Sequence, residues 1–132
     1  MKKAGAKVIV IILAFLLTGC TNNHTTESSA ETQNKEFVPQ GTYRDNMGSE
    51  LVITENEDGS FAVNFSIYKL AYMDNAVGNY DKETNVFSFE GVDYFGDPLA
   101  ADVVSDGASL IVTLTKSSYE DMPVGAQLTM NK

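Results

Sequence analysis

The residues "NEDGSFAVNFSIY", Asn56 to Tyr68, constrain the fold of this chain more than any other stretch. Phe61, Val63, Phe65 and Ile67 fall on one face of an extended backbone, and Ala62, Asn64 and Ser66 fall on the other. A repeat of two is what a strand with one buried face requires, and a helix with its period of 3.6 cannot use it. Asp58-Gly59 separates this run from "ELVITE" and signals a hairpin. The same grammar continues along the chain. "GTYRD" precedes "ELVITE", and "NVFSFEG" aligns Phe87 with Phe89. "LAADVVS" and "SLIVTLT" flank Asp106-Gly107, the second aligning Leu110, Val112 and Leu114; "AQLTMN" aligns Leu128 with Met130. The middle segment reads as one longer strand, Leu70 to Tyr80, bent or bulged near Gly78, with a short helix as the alternative.

About eight strands in under a hundred residues, with no helical pattern of comparable strength, predict an all-β fold. Consecutive hairpins favour a small up-and-down antiparallel β-barrel over the alternative, a β-sandwich. Closing the sheet removes the edges that would otherwise recruit other chains. The domain is expected to occupy residues 37–132, with Pro39 at its threshold.

The chain begins differently. Lys2, Lys3 and Lys7 precede the uncharged run "VIVIILAFLL", Val8 to Leu17. A basic start, about ten apolar residues and small residues before a cleavage point describe a secretory signal peptide. The run is short of the roughly 20 residues that a membrane-spanning helix needs. It ends in Leu17-Thr18-Gly19-Cys20, which resembles the lipobox of bacterial lipoproteins. The resemblance covers the first twenty residues. It implies that residues 1–19 are removed and that Cys20 carries a diacylglyceryl group as the mature N-terminus. An extracytoplasmic domain held to the bacterial cell membrane by lipid, or to the outer membrane in a Gram-negative cell, would follow. Residues 20–36 then form the lipidated cysteine and a polar tether, too poor in apolar side chains to fold alone. Sixteen flexible residues have a root-mean-square reach of roughly 20 to 24 Å.

Processing at Cys20 would also sharpen the charge balance. All eighteen acidic residues follow Cys20, whereas three of the nine basic residues precede it. The mature side chains would carry a net charge near −12, which argues against nucleic acid and against an anionic lipid surface. A basic partner is the electrostatic complement. A monomer is expected.

Little is left for catalysis. Cys20 is the only cysteine, His24 the only histidine, and tryptophan is absent. No G-x-S-x-G elbow, Walker loop or dinucleotide fingerprint occurs. Taking Gly59 as the sixth residue of a calcium loop would put Thr54 first and Phe65 twelfth, where carboxylates are needed. Glu90, Asp93 and Asp97 in "EGVDYFGDP", with Glu120 and Asp121, are the remaining chemical groups. They could pair for glycoside hydrolysis or ligate calcium, but Asp, Gly and Pro in this order are also simple turn formers. The expectation is a non-enzyme without metal or cofactor.

Binding remains. The inferred inward side chains are large, and strands of five to seven residues enclose little space, so a filled core is expected over an apolar ligand cavity. Gly41-Thr42-Tyr43 is similar to the Gly-x-Trp opening of lipocalin-like barrels, with tyrosine in place of tryptophan. That likeness implies the architecture and keeps a carrier of small apolar ligands as the alternative function. Tyr72, Tyr80, Tyr94, Phe95 and Tyr119, interleaved with Asp93 and Asp97, mark a candidate binding surface for a protein or glycan. In general type the chain is also similar to bacterial lipoprotein inhibitors of lysozyme, although it lacks their usual domain cysteines.

Overall fold

Each apolar alternation in the sequence is a strand in the structure, a computed structural model that describes Phe37 and residues 39–132. The signal segment, the lipobox residues Leu17, Thr18, Gly19 and Cys20, and the tether lie outside the described residues. The strands are β1 (Gly41–Arg44), β2 (Glu50–Glu55), β3 (Phe61–Ile67), β4 (Ala71–Asp81), β5 (Val86–Val92), β6 (Pro98–Ser105), β7 (Leu110–Lys116) and β8 (Gln127–Met130). They form one antiparallel sheet in chain order, curled into a nearly closed barrel. β8 returns to β1 through a single antiparallel bridge, in which Arg44 and Asn131 exchange two main-chain hydrogen bonds of 2.8 Å.

The alternation decides what is inside. Val63, Phe65, Ile67, Phe87, Phe89, Leu110, Val112, Leu114 and Leu128, all expected to face inward, are buried, and Phe61 is half-buried against them. Tyr43, Leu51, Ile53, Met73, Leu99, Val103 and Met130 complete the same core. Fully burying one such side chain contributes roughly 1.5–3 kcal/mol, so this interior is the main source of stability in a domain without a disulfide.

β4 is one long strand, as its sequence suggests, but its bulge sits at Asn75 rather than near Gly78. Val63 pairs with Ala76 and Phe65 with Met73, so Asp74 and Asn75 together oppose Asn64. Asn75 takes the left-handed conformation (φ 51°), and its N–H donates to Asn64 Oδ1 at 2.9 Å. Asparagine tolerates that backbone. Gly78 instead permits a close approach between strands, because a Cβ there would lie 2.3 Å from Phe87 Cζ and 3.1 Å from Val63 Cγ2.

Because the strands alternate in direction, the loops segregate to two ends. Loops 56–60, 82–85 and 106–109 lie at one end with the start of β1. Phe37 packs edge-on against Tyr80 there, with ring centroids 5.7 Å apart. We call this the near end. Loops 45–49, 68–70, 93–97 and 117–126 lie at the far end.

Candidate functional site at the far end

Two far-end hairpins use one turn. In Asp93-Tyr94-Phe95-Gly96-Asp97 the Asp93 N–H donates to the Asp97 carbonyl at 2.9 Å, and the Gly96 N–H donates to the Asp93 carbonyl at 3.0 Å. Asp93 Oδ1 then accepts the N–H groups of Phe95 and Asp97 at 2.8 and 2.9 Å. In Asp45-Asn46-Met47-Gly48-Ser49 the Asp45 carboxylate likewise accepts the N–H groups of Met47, Gly48 and Ser49 at 2.7–2.8 Å. Gly96 (φ 91°) and Gly48 (φ 106°) supply left-handed backbone that a side chain would strain. A tight turn with a carboxylate inside pushes its tip outward. Tyr94 is 82 %, Phe95 73 % and Met47 74 % exposed.

The β5–β6 tip does not stand alone. The Tyr94 N–H donates to the Tyr72 carbonyl at 2.8 Å, so the loop is pinned to β4. The Tyr94 and Phe95 rings meet edge to face at 5.7 Å. The Tyr72 hydroxyl donates to Asp74 Oδ1 at 2.6 Å. Tyr68 stands on the β3–β4 turn, with Lys69 Nζ 5.0 Å from its ring centroid, within cation–π range. Gly48, Tyr68, Lys69, Tyr72, Tyr94 and Phe95 line a shallow groove of about 460 Å³. On the other side of the β3–β4 turn a second cleft of about 510 Å³ runs from the β1–β2 loop to β8.

The sequence-derived site residues therefore separate. Tyr72, Tyr94 and Phe95 come together on the groove. Tyr80 is at the near end, where its hydroxyl donates to Asn85 Oδ1 at 2.8 Å, and it takes no part. Tyr119 reaches under the β5–β6 loop and donates its hydroxyl to Asp93 Oδ2. Asp93, only 5 % exposed, is thus the internal strut of the loop, and Asp97 closes the turn through its main chain. Glu90 pairs with Lys116 Nζ at 2.7 Å on the outer surface. No group of three or more potential metal ligands occurs among the described residues. Met47, Tyr68 and Lys69 were not legible as site residues. The shared D-x-x-G spacing of "DNMG" and "DYFG" was the available signal for Met47.

Burial pushes the Asp93 carboxyl up, but the Tyr119 hydroxyl and the N–H groups of Asp97, Phe95 and Gly96 outweigh it and hold the group below the usual carboxylate range. The same bond, aided by burial, pushes Tyr119 up to about 12. A raised folded value means that this contribution is complete below the unfolded tyrosine pKa of about 10 and is lost as pH rises through 12. Ultraviolet titration of the folded protein should show a late-ionising tyrosine near pH 12 that disappears in Tyr119→Phe. Finding the same late component in that variant would disconnect it from the Asp93 bond.

Comparison with known proteins assigns no relative. No protein-family profile, curated protein or solved structure matches this chain.

Proposed function

We propose that this chain is an extracytoplasmic lipoprotein, anchored through Cys20, that acts as a non-catalytic interaction module for a protein or glycan. The observation that carries the reading is the concentration of exposed aromatic and sulfur side chains at the far end. Tyr68, Tyr72, Tyr94 and Phe95 surround one groove, Met47 lines the adjoining cleft, and the turns that carry Met47, Tyr94 and Phe95 are fixed by internal carboxylates. Ordered aromatic anchors lose little conformational freedom on binding, which favours them as recognition centres. Fifteen acidic and five basic side chains among the described residues favour a basic protein as the partner. The large apolar side chains packed in the interior favour surface recognition over internal carriage of an apolar ligand.

Two experiments test the two halves of this reading. Cys20→Ala should release the protein from membranes and remove incorporated lipid label; full membrane retention with label would overturn the anchor. Arrays of basic proteins and glycans probed with the full-length protein should yield a specific ligand. Its affinity should fall at least tenfold in Tyr94→Ala/Phe95→Ala while the circular dichroism spectrum is unchanged. Capture of a basic protein should also weaken as salt rises. Unchanged affinity in the double variant would remove the groove from the interface.

A further inference from the structure

Among the described residues the barrel is closed at one point only, the Arg44–Asn131 bridge, and on the Gln127 side of it β8 has an open edge. Two sets of hydrogen bonds fix which main-chain groups face it. The Asn131 N–H donates to the Arg44 carbonyl and the Asn131 carbonyl accepts the Arg44 N–H, so the main chain of Asn131 points into the seam. Leu114 N–H donates to the Ala126 carbonyl, and β7 pairs Val112 with Leu128 and Leu110 with Met130. Alternation along an antiparallel strand then places residues 126, 128 and 130 against β7 and residues 127, 129 and 131 toward the seam. β1 satisfies Asn131. It does not reach Gln127 and Thr129, because beyond Arg44 the chain turns away into the loop held by Asp45. The N–H and C=O groups of Gln127 and Thr129 thus face the seam with no hydrogen bond from another described residue.

This bare edge borders the 510 Å³ cleft, which Gln127, Leu128 and Thr129 line on one side. Met47, Leu70 and Met122 supply apolar walls, and Asp45 and Asp121 stand at its margin. The cleft combines a template for main-chain pairing, an apolar lining beside it and negative charge. Those are the requirements for adding a strand of a particular composition.

We propose that the seam is a strand-acceptor site, filled by an extended segment of another protein in which basic and apolar residues alternate. The segment pairs with Gln127 and Thr129, sends its apolar side chains toward Met47, Leu70 and Met122, and places basic ones near Asp45 and Asp121. Charge complementarity selects this occupant. It is a separate proposal from recognition by the aromatic groove, and Tyr94 and Phe95 have no part in it.

The test uses full-length protein in non-ionic detergent and a pool of eight-residue peptides alternating Lys or Arg with Val, Ile or Leu. A member of the pool should bind one to one. Hydrogen exchange should show fast Gln127 and Thr129 amides in the free protein that slow at least tenfold on binding. N-methylation of the peptide amides that face the seam should weaken binding at least tenfold, and so should Thr129→Pro, which removes a seam N–H while sparing the β7 ladder. Tyr94→Ala/Phe95→Ala should bind the peptide as the parent does. If no member of the pool binds, or if N-methylation changes nothing, the site is not a strand acceptor. A dimer dissociated by Thr129→Pro would put a second copy in the seam and overturn the assignment. So would slow Thr129 exchange in the free protein that becomes fast when residues 21–36 are deleted.

Discussion

Phe87→Ala should destabilise the domain by roughly 3–5 kcal/mol, the range for truncating a core aromatic. Phe87 is fully buried, meets Phe61 edge-on at 5.3 Å and lies 6.5 Å from Phe89. Its ring fills the space over Gly78, where a Cβ would sit 2.3 Å from Cζ. Truncation leaves a cavity bordered by a residue with no side chain to relax into it. A domain of this size has a total stability of about 5–15 kcal/mol, and 1 kcal/mol corresponds to roughly 4–8 °C in Tm. A Tm drop of roughly 12–40 °C is therefore expected, with urea unfolding giving the matching free energy. The pairing predicts a coupling as well. Gly78→Ala alone should destabilise by overpacking, about 1–3 kcal/mol, yet in the Phe87→Ala background it should cost much less or even stabilise. Additive losses would show that the ring and the glycine do not share one space.

Asp93→Ala should cost about 2–4 kcal/mol, although the residue sits in a loop. A hydrogen bond to a charged group contributes roughly 1.5–3 kcal/mol, and Asp93 accepts bonds from Phe95, Asp97 and Tyr119. Water can replace some of these at the exposed tip, which keeps the loss below their sum. The signature lies in pH. The folded carboxyl is held below its unfolded value, so its contribution is present above about pH 4 and is lost as pH falls through the lower folded value. Parent stability should fall on acidification below pH 4, and Asp93→Ala should fall less steeply. Asp45 shifts in the same direction, so some slope should survive. Equal slopes would mean that Asp93 is not bonded as a carboxylate. Loss of the strut should also free the Tyr94–Phe95 tip and weaken any ligand of the groove.

The strands and their inward faces were legible because period-two patterning is local: Phe61, Val63, Phe65 and Ile67 declare their face without reference to the rest of the chain. The bulge was harder. Gly78 attracted it as the permissive residue, but whether a glycine serves a bend or a close approach depends on Phe87 of the neighbouring strand. The site divides likewise. Tyr94 and Phe95 could be read from a turn of obvious chemistry. Asp93 looked like a surface acid because its side-chain partner, Tyr119, lies 26 positions along the chain. Tyr80 resembled Tyr72 in composition and spacing, yet eight residues along one strand separate opposite ends of the barrel.

That polarity bears on how many copies could work together. The described chain begins at the near end, and the aromatic groove and the seam cleft open at the far end. A strand of seven residues spans about 23 Å. If the N-terminus is held at a bilayer, attachment enters through the near end and does not occupy the far-end loops, so several copies could grip a multivalent target at once.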